Sequence, residues 1–220
     1  MTSASVHTVL LAAGRSTRLG GDIAKPWRVL GGKTVAAHAL ERLAAHPRIT
    51  SGVLVVAEDA RDMAEALAAP YGWRVVIGGA ERPDSVKAGL NALDAPDHVL
   101  IHDAARPFVS ADVLDRLINA LEAGHQAVIP ALPPSDSLKT AENNIVTGRV
   151  ERDAVFRIQT PQGFTFSLIK ALHDNDHNST ATDDASLVED AGQTVHLCQG
   201  DAMMDKITTA DDLARAEILV

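Results

Sequence analysis

Short apolar runs alternate along the chain with stretches whose apolar positions recur every three or four residues. Val9-Leu10-Leu11, Val53-Leu54-Val55-Val56, Trp73-Arg74-Val75-Val76-Ile77, His98-Val99-Leu100-Ile101 and Ala127-Val128-Ile129 each read as a buried strand. Between them, Thr34 to Ala45 places Val35, Ala39, Leu40 and Leu43 on one helical face, and Ser85 to Leu93 does the same with Val86, Leu90 and Leu93. Ser110 stands where an N-cap would precede a helix bearing Val113, Leu114, Leu117 and Leu121. Strands and helices alternating at this spacing predict an α/β protein, a mostly parallel sheet with helices on both faces. Ligands of such sheets bind beyond the carboxyl ends of the strands.

The alternation breaks between Pro133 and Thr160. Ile145, Val146, Val150, Val155 and Phe156 recur through that polar tract, which predicts a projecting β-arm at about 133–157, with a turn near Glu142 to Asn144 and dimer contacts. Met203-Met204-Asp205-Lys206-Ile207 reads as a last short strand, and Thr209-Ala210-Asp211-Asp212 as the cap of a helix carrying Leu213, Ala216 and Leu219. With no internal repeat or linker, residues 1–220 are expected to form one domain.

Composition narrows the partners. At 220 residues and 46% hydrophobic content the chain can bury a full core. Its net charge of −9 repels a polyanion, which disfavours nucleic acid. No apolar stretch approaches the ~20 residues of a membrane helix, and no basic, then apolar leader is evident, so a soluble cytoplasmic protein is expected. Cys198 is the only cysteine and is read as core packing. His98 with His102, and His173 with His177, have i, i+4 spacing, but the first pair spans a strand and the second lacks a glutamate partner, so zinc is disfavoured.

The unusual chemistry comes directly after the strands. Ala12-Ala13-Gly14-Arg15-Ser16-Thr17-Arg18-Leu19-Gly20-Gly21 succeeds the first, with Lys25 close behind. Small residues let backbone N–H groups approach an anion, and Arg18 and Lys25 can neutralise phosphate charge. Between Arg15 and Lys33 five cations face Asp22 alone. This is neither a G-x-x-x-x-G-K-[ST] loop nor a G-x-G-x-x-G fingerprint, and taken alone it fits a phosphate cradle and an ordinary chain turn equally well. Gly78-Gly79-Ala80-Glu81-Arg82 succeeds the third strand and His102-Asp103-Ala104-Ala105-Arg106-Pro107 the fourth, so all three segments should converge on one rim. Singly, Arg82, Arg106, Asp103 and Lys206 each have an ordinary reading as a surface ion-pair partner, a turn cap or a solvated lysine. His102 is read as a structural hydrogen-bonding residue.

On these residues the chain resembles the 2-C-methyl-D-erythritol 4-phosphate cytidylyltransferases of non-mevalonate isoprenoid biosynthesis, over nearly its whole length. Further matches are Ser85-Val86, Arg152-Asp153, Thr160-Pro161-Gln162, Thr182-Asp183-Asp184-Ala185-Ser186 and Lys206-Ile207-Thr208. The resemblance implies a Rossmann-like, glycosyltransferase-A-like nucleotidyltransferase fold, a homodimer formed through the arm, and a divalent ion, usually Mg²⁺. It implies that Arg18 and Lys25 hold the triphosphate of CTP. Ala12, Ala13, Gly14, Gly79 and Ser85 would frame the nucleotide. Asp103, Arg106, Arg152, Thr182 and Lys206 would hold the sugar-alcohol phosphate and the reacting centre, with Asp103 also at the nucleotide and Ser137 reaching the neighbouring subunit's site. Arg18, Lys25, Arg152 and Lys206 are the implied catalytic set; the residues that would hold the metal stay unassigned.

Those residue types suit the reaction. A phosphate monoester with a second pKa of about 6 is already largely anionic at neutral pH, so it needs no general base to attack phosphorus. The barrier lies in bringing two anions together, which fixed cations address. Pro26-Trp27-Arg28, Ala80 and Ser137 depart from the common family pattern. The rival readings are a ribitol 5-phosphate cytidylyltransferase on the same scaffold and a non-catalytic nucleotide-binding module. The chain is either free-standing or one half of a fusion with a cyclodiphosphate synthase domain.

Overall fold

The apolar run after Ser5 becomes β1 (Val6–Ala12), an interior strand of an eight-stranded sheet in a computed structural model that describes residues 4–14, 23–176 and 183–220. A small ribbon, β2 (Val29–Leu30) with β3 (Lys33–Thr34), leads into α1 (Val35–Ala44). Thr34 caps α1 by accepting from the Ala37 amide at 3.2 Å. Next come β4 (Ile49–Val56), α2 (Arg61–Ala68), β5 (Arg74–Ile77), α3 (Arg82–Asn91), β6 (His98–Asp103), α4 (Ala111–Glu122) and β7 (Ala127–Leu132). The arm is β8 (Lys139–Glu142) and β9 (Ile145–Arg149), and β10 (Arg157–Ile158), β11 (Gln162–Thr165), α5 (Phe166–Asn175), α6 (Asp184–Asp190), β12 (His196–Gln199) and α7 (Ala210–Ala216) complete the chain.

The sheet runs β10-β7-β11-β6-β1-β4-β5, with β12 beside β7. β6, β1, β4 and β5 are mutually parallel, β12 is parallel to β7, and β11 runs antiparallel between β6 and β7. Alternation along β1 divides the core. Leu10 and Ala12 join Leu40, Leu43, Leu114 and Leu117 under α1 and α4, whereas Val9 joins Val86, Leu90, Phe164 and Ile169 under α3 and α5. Both faces are therefore covered, as the continuous apolar strands require.

Register brings the strand ends level: Ala12 pairs with Val56, Val56 with Ile77, and Leu11 with Asp103. The ladder runs one bond further at each side, from Gly78 N to Val56 O at 2.8 Å and from Ala104 N to Leu11 O at 3.0 Å. The loops at the carboxyl ends of these strands thus open on one rim.

Three expectations are corrected. Residues 203–207 make no strand. Met204 and Ile207 are buried while Met203 is half exposed, a spacing of three that suits the 3-10 turn at Ala202–Met204 and the extended link after it. α3 starts at Arg82, not Ser85, because Glu81 and Asp84 form a reciprocal capping box and Pro83 is tolerated in a first turn. Ser110 precedes α4, but its side chain makes no capping hydrogen bond.

Candidate active site

A cleft of about 790 Å³ opens at the aligned carboxyl ends of β1, β4, β5 and β6. Ala13, Gly14, Gly78, Gly79 and Ser85 form its small-residue side. A Cβ on Gly78 would stand 2.5 Å from Ser85 Oγ and 2.8 Å from Ala13 Cβ, and one on Gly79 only 2.2 Å from Asp84 Cβ. Glycine is required at both positions because the loop lies directly against the first turn of α3. Lys25, only 7% exposed, opens the 3-10 turn Lys25–Trp27 and lines the cleft with Pro26. Trp27 is sunk in the core beneath, so the unusual Pro26-Trp27 pair anchors the turn that presents Lys25.

Asp103, the last residue of β6, lies opposite. Its Oδ2 accepts from Lys206 Nζ at 2.7 Å and its Oδ1 faces Arg82 Nε at 3.5 Å. Burial alone would raise this carboxyl, but the Arg82 and Lys206 cations outweigh it and hold the group well below the usual carboxylate range. Arg82 shows the mirror effect: burial works against its charge, and Asp184 and Asp103 more than restore it.

Lys206 reaches the rim although no strand carries it. Ile207 N donates to Ala105 O at 2.8 Å, and the Ile207 side chain packs with Leu30, Val35 and Phe108. Arg106 braces the same segment from behind: Nη1 donates to Met204 O at 2.9 Å and Nη2 to Ile158 O at 3.3 Å. Its two terminal nitrogens each meet a main-chain carbonyl, and the residue is not part of the cleft lining. Behind Asp103, the buried His102 takes the Thr160 hydroxyl on Nδ1 and donates from Nε2 to Arg106 O, each at 3.0 Å. Burial pushes its pKa down to about 4, so the ring is neutral at pH 7.

The cleft thus brings together Ala13, Gly14, Lys25, Gly79, Ser85, Asp103 and Lys206. Ala12 is buried in the layer below, while Arg152 and Ser137 are exposed, at the turn Arg152–Ala154 after the arm and just before β8. Arg18 and Thr182 lie outside the described residues. Arg82 and Glu58, to which no site role was assigned from sequence, also line the cleft; applying the strand-end rule to β4 points to Glu58. Among the described lining residues Lys25, Arg82 and Lys206 are balanced by Glu58, Glu81 and Asp103. Among the described residues no group of three or more His, Cys, Asp or Glu side chains is arranged to hold a metal. No helix among them is long and apolar enough to cross a membrane.

Comparison with known proteins agrees over almost the whole length. The family model for 2-C-methyl-D-erythritol 4-phosphate cytidylyltransferase, IspD, matches residues 6–220. The chain is 43% identical over 222 residues to a bifunctional enzyme IspD/IspF of Rhodospirillum rubrum, with 98% of this chain and 57% of that protein covered. It is 41% identical to a 2-C-methyl-D-erythritol 4-phosphate cytidylyltransferase of Nocardia farcinica, covering 98% of this chain and 94% of the other. A crystal structure of 4-diphosphocytidyl-2C-methyl-D-erythritol synthase from Anaerococcus prevotii superposes with a TM-score of 0.87 at 30% identity, covering 99% and 96% of the two chains. The chain spans a little over half the length of the bifunctional relatives it matches.

Proposed function

The chain belongs to the 2-C-methyl-D-erythritol 4-phosphate cytidylyltransferase family, and from that premise we propose that it transfers CMP from CTP to 2-C-methyl-D-erythritol 4-phosphate. A phosphate oxygen of the acceptor attacks the α-phosphorus of CTP. A new P–O–P link forms, the bond between the α-phosphorus and the bridging oxygen breaks, and pyrophosphate leaves with that electron pair. The single observation carrying this reading is that Lys25, Asp103 and Lys206, distant in sequence, share one cleft with a wall of small residues.

Lys25 with Arg18 holds the triphosphate, and Ala13, Gly79 and Ser85 frame cytosine. Asp103 orients Lys206 beside the reacting phosphates, where its charge offsets the anion developing on the α-phosphate oxygens. Thr182 and Arg152 complete the acceptor side, with Ser137 reaching in from a neighbouring subunit. Because the described cleft charges balance, attraction for CTP draws on Arg18 and on a divalent ion. The donor set fits Mg²⁺ only as an ion carried largely by phosphate and water oxygens, since both Asp103 oxygens already face cations. Such an ion would neutralise phosphate charge.

Ala13→Leu places an isobutyl group where Gly78 and Ser85 already crowd. Calorimetric titration is expected to show CTP binding weakened at least roughly tenfold, a larger free-energy loss than the accompanying fall in stability, because Ala13 lines the cleft as well as packing against the core. On the arm, Ile145 and Val146 are 69% and 63% exposed, which supports a second copy of the chain as their cover. Replacing both by aspartate is expected to halve the particle mass seen by light scattering. Substrate choice is tested by measuring pyrophosphate release with methylerythritol phosphate and ribitol 5-phosphate side by side. Preference for the first supports the reading; preference for the second transfers the chain to the ribitol class.

A further inference from the structure

A line of ion pairs leaves the cleft and ends on a buried histidine. Lys206 Nζ meets Asp103 at 2.7 Å, Arg82 Nε faces the other oxygen of Asp103 at 3.5 Å, and Arg82 Nη2 meets Asp184 Oδ2 at 2.7 Å. Asp184 Oδ1 then accepts from His173 Nε2 at 3.0 Å. The first residues of this line border the cleft; the last two are almost fully enclosed, at 1% exposure for Asp184 and 3% for His173. Nothing in the proposed chemistry requires His173.

The surroundings show how tightly that inner end is set. Asp184 is the first residue of α6, and the start of α6 is clamped from β11: Gln162 Oε1 accepts from Ala185 N at 3.1 Å, and Gln162 Nε2 donates to Asp183 at 2.6 Å. Asp183 in turn caps the helix at Ser186 N. His173 arrives from the last turn of α5, which packs against both α3 and α6. A buried carboxylate with one partner can swing about its terminal torsion, whereas one held on both oxygens cannot, and an oxygen stripped of its partner in the interior must seek another. Asp184 is therefore a fixed anchor only while His173 occupies Oδ1, and Arg82 stands between that anchor and Asp103.

We infer that His173 is a positioning residue: through Asp184 it fixes the Arg82 guanidinium, and thereby the Asp103–Lys206 pair on the acceptor side of the cleft. Without it, Arg82 swings toward Asp103 and competes with Lys206 for the carboxylate. The effect falls chiefly on turnover, because the group whose partner is contested is Lys206, while Ala13, Gly79 and Ser85 belong to none of these ion pairs. The catalytic part of this inference rests on the proposed function; the anchoring of Arg82 does not.

The full chain tests both parts. In His173→Leu, kcat is expected to fall roughly tenfold with the KM for CTP within about twofold, as when an outer hydrogen-bond partner of a site residue is removed. His173→Gln, which keeps a donor near the Nε2 position, restores kcat. Asp184→Asn, which keeps the shape and removes the charge, repeats the kinetic loss should the leucine variant fail to fold. Nitrogen-15 arginine NMR supplies the second readout, with the Arg82 resonances assigned by their absence in Arg82→Lys. Wild type and His173→Gln show slow rotation of the Arg82 guanidinium, and His173→Leu and Asp184→Asn show it averaged.

Equal impairment by leucine and glutamine, or an unchanged Arg82 signal in folded His173→Leu, overturns the inference by reducing His173 to packing. Unchanged kcat with an averaged Arg82 signal overturns its catalytic part. A wild-type chain that releases no pyrophosphate defeats the proposed function instead, and the guanidinium signal still decides the anchoring.

Discussion

Lys206→Ala is expected to lower kcat for CMP transfer roughly 100- to 1,000-fold, about 3–4 kcal/mol of transition-state stabilisation, by analogy with removal of one preorganised oxyanion donor. Lys206 is held at the rim by the Ile207–Ala105 backbone bond, by the packing of Ile207 and by Asp103, so its ammonium needs little reorganisation when charge moves. Its loss should not unfold the protein. The side chain is 46% exposed, and Asp103 retains Arg82. The expected signature is therefore a large fall in kcat with the KM for CTP and the thermal midpoint almost unchanged, measured by continuous pyrophosphate release and by calorimetry. A comparable loss in affinity for CTP would place Lys206 on the nucleotide instead.

Acidification should weaken the fold well before its carboxylates protonate. His102 is fully buried, and burial lowers its pKa to about 4, whereas in the unfolded chain it titrates at 6.5. Between those values the unfolded state binds a proton that the native state refuses, so stability rises with pH across that window. The contribution is fully present above pH 6.5 and is lost as pH falls through 4, amounting to roughly 2–3 kcal/mol by pH 4.5. Urea unfolding at pH 7 and pH 4.5 measures it. Burial lowers His7 and His98 in the same direction, so the decisive quantity is the difference from His102→Gln, whose stability should fall less across the window. Asp103 and Asp184, both held below the usual carboxylate range despite burial, add their losses only at lower pH.

Much of this architecture was legible in the residues because local chemistry and tertiary structure agree. Thr209 is a cap in sequence and in structure, and with Asp212 it forms the expected reciprocal box. Asn143 and Asn144 both adopt positive φ at the tip of the arm, as a two-residue asparagine turn between strands permits. The strand-end rule gathered Ala13, Gly79 and Asp103 correctly. Long-range partners were not readable in the same way. The carbonyls that receive Arg106 belong to Ile158 and Met204, so no local pattern reveals that brace. Met203 to Ile207 looked like a strand because composition favours one; the backbone instead makes a 3-10 turn and a single bond to Ala105. Arg82 reads in sequence as a surface ion-pair partner, yet its hydrogen-bond partner is the buried Asp184, 102 residues away.

The central claim is that cations from separate strand ends meet in one cleft so that two phosphate-bearing substrates can react. Its most direct measurement is pyrophosphate release by the full chain supplied with CTP and Mg²⁺, with and without methylerythritol phosphate. The predicted result is release only when the acceptor is present, one pyrophosphate for each CMP transferred. No release above background with that acceptor, or release at the same rate without it, would contradict the account.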